Sequence, residues 1–150
     1  MGCDIHPFLE AKIQGKWTYI GNVLSYRNYV LFNKLSGVRG DGIPFFPSFQ
    51  IDAELSKEVK EELEGWGNDA HSLTVCYAEK LKEFCEKYAP NLTKEEFEGL
   101  RAKGLREKND EMKCQEWWGS AGYCVEWLEM MQQLIMCGCE DARVILWYDN

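Results

Sequence analysis

The chain has two histidines, and each follows an aspartate by two positions: Asp4-x-His6 near the start and Asp69-x-His71 in the middle. On a β-strand, residues i and i+2 leave the same face, so each pair can offer a carboxylate and an imidazole side by side. Joined in space, Asp4, His6, Asp69 and His71 make a mixed nitrogen and oxygen set of the kind that holds Zn, Mn or Fe(II). Such a divalent metal, the candidate cofactor here, would activate a bound water and serve a hydrolase. The plainer alternative is a pair of hydrogen-bonded structural histidines beside turn aspartates. Cys3 adds a second option, because a thiolate with His6 or His71 as base is a nucleophile pattern. On a regular strand, however, Cys3 and His6 face opposite ways, and a small buried cysteine is the commoner use. The catalytic candidates are therefore His6, His71 and Cys3.

A third constellation is Arg27, Asn28, Tyr29 and Arg39, with Tyr26 and the glycine-rich stretch 37–42 close by in sequence. Arginine forks bind carboxylates and phosphates bidentately, and tyrosines can stack on a base. The set could hold a small nucleotide or another anion. Its alternative is ion pairing with the surplus carboxylates. Gly37-x-x-Gly40-x-Gly42 does not lie between a strand and a helix start, so it is not the dinucleotide fingerprint. Trp117-Trp118 and Met130, Met131 and Met136 read as core packing, and the charged run 101–113 as a solvated helix face.

The elements that must position these groups come next. Residues 4–13 alternate, with Ile5, Leu9, Ala11 and Ile13 on one face and Asp4, His6, Phe8, Glu10 and Lys12 on the other, which predicts a strand with one buried face. Gln14-Gly15-Lys16 predicts a turn, and 17–20 a second strand closing a hairpin. Pro7 lacks an N–H and predicts a sheet edge at that point. A short helix over 27–37 is capped by Asn28, carries Leu31, Phe32 and Leu35, and stops at Gly37. The loop 38–50 should pack through Phe45, Phe46 and Phe49. Further helices are predicted over 56–64, 78–88, from the capping box at Thr93, over 104–116, and over 123–137, the last apolar around most of its circumference and so buried. Strands are predicted over 72–77 and 143–148. The sum is an α+β fold: a small antiparallel sheet, made of the N-terminal hairpin and the C-terminal strand, with several helices packed on one face. The two end strands should pair, bringing Asp149 near the first strand and, with His71 approaching from a loop, gathering the polar residues at one edge.

The totals agree with a single domain over 1–150: 150 residues, 45% hydrophobic and 13% aromatic. A net charge of −8 repels phosphate backbones and argues against duplex nucleic acid. No run reaches the roughly 18 apolar residues of a membrane span. The polar start lacks a signal-peptide core, and seven cysteines with no Cys-x-x-Cys pair fit reduced thiols in a cytosol.

Met1-Gly2-Cys3-Asp4-Ile5-His6 opens a pattern continued by Arg27-Asn28-Tyr29, Leu31-Phe32, Gly37-Val38-Arg39, Gly42-Ile43-Pro44, Trp66, Asp69-Ala70-His71-Ser72, and Ala142-Arg143-Val144 through Tyr148-Asp149-Asn150. In these segments the chain resembles a group of uncharacterised proteins found mostly in bacteriophages and prophages. It departs after Ser72, where Leu73-Thr74-Val75 stands in place of a polar residue and tryptophan. The resemblance implies a phage origin and a location in the cytoplasm of a bacterial host. The expected function is that of an accessory protein that binds a small polar ligand, such as a nucleotide signal, or a host protein, in counter-defence. The alternatives are the Asp/His metal-dependent hydrolase and an interaction module presenting Trp66, Phe45 and Phe46.

Overall fold

A computed structural model describes residues 2–25, 27–48, 54–88 and 123–149. The helices expected from Thr93 and over 104–116, together with Tyr26, Phe49, Trp117 and Trp118, lie outside the described residues. Strands β1 (Ile5–Ile13), β2 (Lys16–Asn22), β3 (His71–Tyr77) and β4 (Asp141–Tyr148) form one sheet in the order β2-β1-β4-β3, with every pair antiparallel. Helices α1 (Tyr29–Ser36), α2 (Lys57–Trp66), α3 (Ala78–Tyr88) and α4 (Tyr123–Met136) accompany it, and a single 3₁₀ turn, Gly67–Asp69, leads from α2 into β3. The fold is α+β, and the two end strands pair as expected.

Local chemistry accounts for the ends of these elements. Gln14 and Gly15 both take positive φ, as two-residue hairpin turns demand. Asn28 Oδ1 accepts the Leu31 N–H at 3.2 Å and so caps α1, and Gly37 at φ 72 ends it. Pro7 sits in a central strand, yet the edge reading holds locally. Ladder pairing with β2 ends at Phe8, and beyond it the Pro7 carbonyl accepts the Val23 N–H at 3.3 Å. In an extended strand N and O of one residue point the same way, so the missing N–H faces that thinned side and the β4 ladder is intact.

Both faces of the sheet are covered, not one. On the first, α1, α3 and α4 bring Leu31, Phe32, Leu81, Phe84, Trp127 and Met131 onto Leu9, Ala142, Val144, Leu146 and Tyr148. On the second, Val59 and Leu63 of α2 pack on Phe8, Val75, Ile145 and Trp147. The reason is β4, whose Ala142–Tyr148 run is buried throughout, a pattern that needs apolar cover on both sides. The charged composition of α2 hides an i, i+4 apolar pair that supplies this cover. A second correction concerns α4. Its inner face is buried, but Met130, Ile135 and Met136 are exposed, so it has one packed stripe and is not buried all round.

Glu10 departs most from its expected place on an outer face. It is fully buried and paired with Arg143, register partner across β1 and β4, at 2.7 Å. Its second oxygen accepts the Ser56 N–H at 2.7 Å. Arg143 also donates to the Glu54 carbonyl and the Tyr77 hydroxyl, and its guanidinium lies 3.9 Å from the Trp17 ring centre. Among the described residues, no helix is long and apolar enough to cross a membrane.

Candidate functional site

Three strands meet at one rim of the sheet: the start of β1, the end of β4 and the start of β3. Ile5 and His71 both pair with Tyr148, one from each side. That register draws residues 3–6, 147–149 and 71–72 together. Their hub is Asp149. Its N–H donates to the Asp4 carbonyl at 3.0 Å, and its Oδ1 accepts the Asp4 N–H at 2.9 Å. Its Oδ2 lies 2.9 Å from His6 Nε2, and its carbonyl lies 3.3 Å from His71 Nε2. A carbonyl can only accept, so His71 carries its proton on Nε2. Nδ1 is then the acceptor for the Ser72 hydroxyl, 3.0 Å away. His6 rests against the Trp66 ring, with centroids 4.4 Å apart. Burial works against the charge on Asp149, but the Asp4 N–H and His6 outweigh it and hold the carboxyl below its usual range.

Placed against this geometry, the expected residues divide. His6, His71 and Asp149 do meet at one rim, although His71 opens a strand and is not in a loop. The metal set does not assemble: among the described residues, no group of three or more His, Cys, Asp or Glu is placed to hold a metal ion. Asp4 is instead clasped by Arg27 at 2.8 and 3.0 Å, which lowers its pKa, and Asp69 is exposed in the 3₁₀ turn. The four residues of the arginine set hold the start of β1 to α1. Arg27 forks onto Asp4, Asn28 caps α1, and Tyr29 takes the Cys3 N–H on its hydroxyl at 3.3 Å. Arg39 lies 5.5 Å over the Tyr29 ring. Of the two arginines, Arg27 makes the ion pair that the alternative expects. Gly40 lies against α1, where a Cβ would collide with the Asn33 side chain. Cys3 is buried and its thiol pushed up by that burial, with Arg39 pulling the other way, the opposite of what a thiolate nucleophile needs. Cys76, Cys85, Cys124, Cys137 and Cys139 are free thiols too.

Beside the rim, on the α2 side of the sheet, opens a cleft of about 430 Å³ lined by His71, Ser72, Leu73, Trp147, Lys60 and Glu64. The Trp147 indole N–H is buried there and finds no acceptor among the described residues. Sequence reasoning missed both Ser72 and Trp147. The hydroxyl next to a histidine was legible, whereas the orphaned N–H depends on tertiary packing alone. A larger groove of about 930 Å³ runs between β2 and α4 past Ile20, Leu24 and Met130. Among the described residues no histidine or arginine lines it. Of the expected interaction aromatics, Phe46 is buried, while Phe45, packed on Phe84, and Trp66, against His6, are half-buried. The chain matches no protein-family model, no curated protein and no solved structure.

Proposed function

We propose that the protein is a phage accessory protein that binds a small polar ligand, a nucleotide signal being the leading kind, in the cleft beside His71 and Ser72. The phage assignment rests on the resemblance of its sequence segments. Several of these, Asp4 to His6, His71-Ser72 and Tyr148-Asp149, build the rim, and Arg27 to Tyr29 brace it from α1. One observation carries the binding reading: Trp147, which lines the cleft, has a buried indole N–H that finds no partner among the described residues. A buried donor left unsatisfied costs about 1–3 kcal/mol, a penalty that a ligand oxygen or ring nitrogen would relieve. Lys60 and Glu64 at the mouth offer one charge of each sign, which suits a ligand that is polar without being uniformly anionic.

A thermal-shift screen of nucleotides and cyclic dinucleotides tests this. At least one compound should raise the melting temperature, and Trp147→Phe, which keeps a ring but loses the donor, should weaken that compound about tenfold. Stabilisation by none of them removes the reading. A second reading, an interaction module for a host protein, is favoured by a different observation: Leu24 and Met136 are 71% and 80% exposed on and beside the apolar groove. Leu24→Glu should abolish capture of a host partner if that reading holds, and leave nucleotide stabilisation unchanged.

A further inference from the structure

Ser72 is one of three described non-glycine residues with positive φ, at 56°. It sits where the β3–β4 register slips between His71 and Thr74, a bulge of the kind that re-aims side chains beside active sites. Glycine is the relaxed residue for such a backbone. A serine there accepts strain and gains a hydroxyl, and that hydroxyl is 3.0 Å from His71 Nδ1. Strain of this kind persists only where the surroundings over-determine it, and here they do. Thr74 donates to the Ser72 carbonyl at 2.9 Å, so Ser36 must donate to Thr74 at 2.8 Å, and the Tyr148 hydroxyl donates to Ser36 at 2.9 Å. Thr74 and Tyr148 are both fully buried. A one-way chain of hydroxyls therefore anchors the bulge from the core.

We propose that Ser72 is a nucleophile with His71 as its general base, acting on a small carboxylic ester held in the cleft; this rests on the cleft being the ligand site. The arrangement has three parts that serine nucleophiles need: a hydroxyl, a base within hydrogen-bond reach, and a third group that orients the base. The third group is the Asp149 carbonyl, which holds Nε2–H and leaves Nδ1 free to accept. Ser72 Oγ attacks the ester carbonyl carbon and its proton passes to His71 Nδ1. The carbonyl electron pair moves onto oxygen, forming the tetrahedral intermediate. Collapse breaks the bond to the alcohol, which leaves with the proton from His71. Water, deprotonated by His71, then releases the carboxylic acid and restores Ser72.

The test is covalent. The full chain is treated with a fluorophosphonate, whose phosphorus bonds to the nucleophile as fluoride leaves, and the adduct is located by peptide mass spectrometry. Labelling should fall on Ser72. His71→Gln should slow it by about a hundredfold, the lower range for loss of a general base, and Thr74→Val should slow it less while leaving Ser72 present. Ser72→Gly guards against misfolding as the explanation: glycine relaxes the backbone, so this variant should melt no lower than the parent yet take no label. The proposal falls if no adduct forms on Ser72, or if His71→Gln is labelled at the parent rate. If the adduct is absent while a nucleotide still stabilises the protein through Trp147, the nucleophile is overturned and the binding reading stands.

Discussion

Two polar clusters bridge β1 and β4, and they have opposite fates. In one, Glu10 and Arg143 face each other in register, wholly buried, and each makes further hydrogen bonds, Glu10 to the Ser56 N–H and Arg143 to the Glu54 carbonyl and the Tyr77 hydroxyl. In the other, at the strand ends, Asp149 gathers Asp4, His6 and His71 but remains partly open, next to a cleft with an indole N–H still unpaired. A fully buried ion pair whose charges are matched holds structure and is out of a ligand's reach. An incompletely satisfied cluster at a rim is within reach, and a ligand completes it. A carboxylate bridges β1 and β4 in both places, structural in one and open to a ligand in the other, and the difference is solvent access.

The comparison is broken most forcefully from the buried side. Glu10→Ala strands the Arg143 charge and should destabilise by about 3–5 kcal/mol in urea unfolding. Replacing both, with Glu10→Leu and Arg143→Met, should recover most of that loss, since no uncompensated charge remains. Recovery of nothing would mean the pair does more than balance charge. At the rim, Asp149→Asn weakens the His6 contact and should cost about 1–2 kcal/mol at neutral pH. It should also slow fluorophosphonate labelling little, since the Asp149 carbonyl remains.

The next effect is one of pH. Asp149 and Asp4 both titrate below their ordinary range in the fold. Their contribution is complete above the unfolded value of about 3.9 and is lost as pH falls through the lower folded values. The melting temperature should therefore fall below about pH 4, and Asp149→Asn should flatten that acid limb. An unchanged limb would deny Asp149 its role as hub. The smallest shift is expected for Asp4→Asn, whose partner Arg27 is half exposed and whose ion pair is screened by solvent. It should lower the melting temperature only slightly and leave the Asp149–His6 contact, read from the His6 ring resonances, in place.

Much of this was legible before any coordinate. Alternation over 4–13, the Gln14-Gly15 turn, the Asn28 cap and the apolar run of β4 rest on local rules, and local rules hold wherever the chain goes. The pairing of the two end strands was also legible, since each needs backbone partners that the other supplies. The cover on both faces was not, because Val59 and Leu63 are two apolar residues among charges, and only the packing of β4 tells which side of α2 turns inward. Glu10 was misplaced for a similar reason: alternation says which face a side chain takes, not whether that face meets water.

At the site, the sequence determined which groups exist, two histidines each near an aspartate, and that strand spacing turns Asp4 and His6 the same way. Tertiary structure decided their partners. The register between β1, β4 and β3 sets His6 and His71 on either side of Asp149 and leaves Asp69 outside, so no metal set forms among the described residues. A bulge, one residue of slippage in that ladder, turned Ser72 toward His71, and burial of Trp147 deprived an N–H of its water. Register, bulge and burial each arise from contacts between segments far apart in the chain, and no local pattern encodes them.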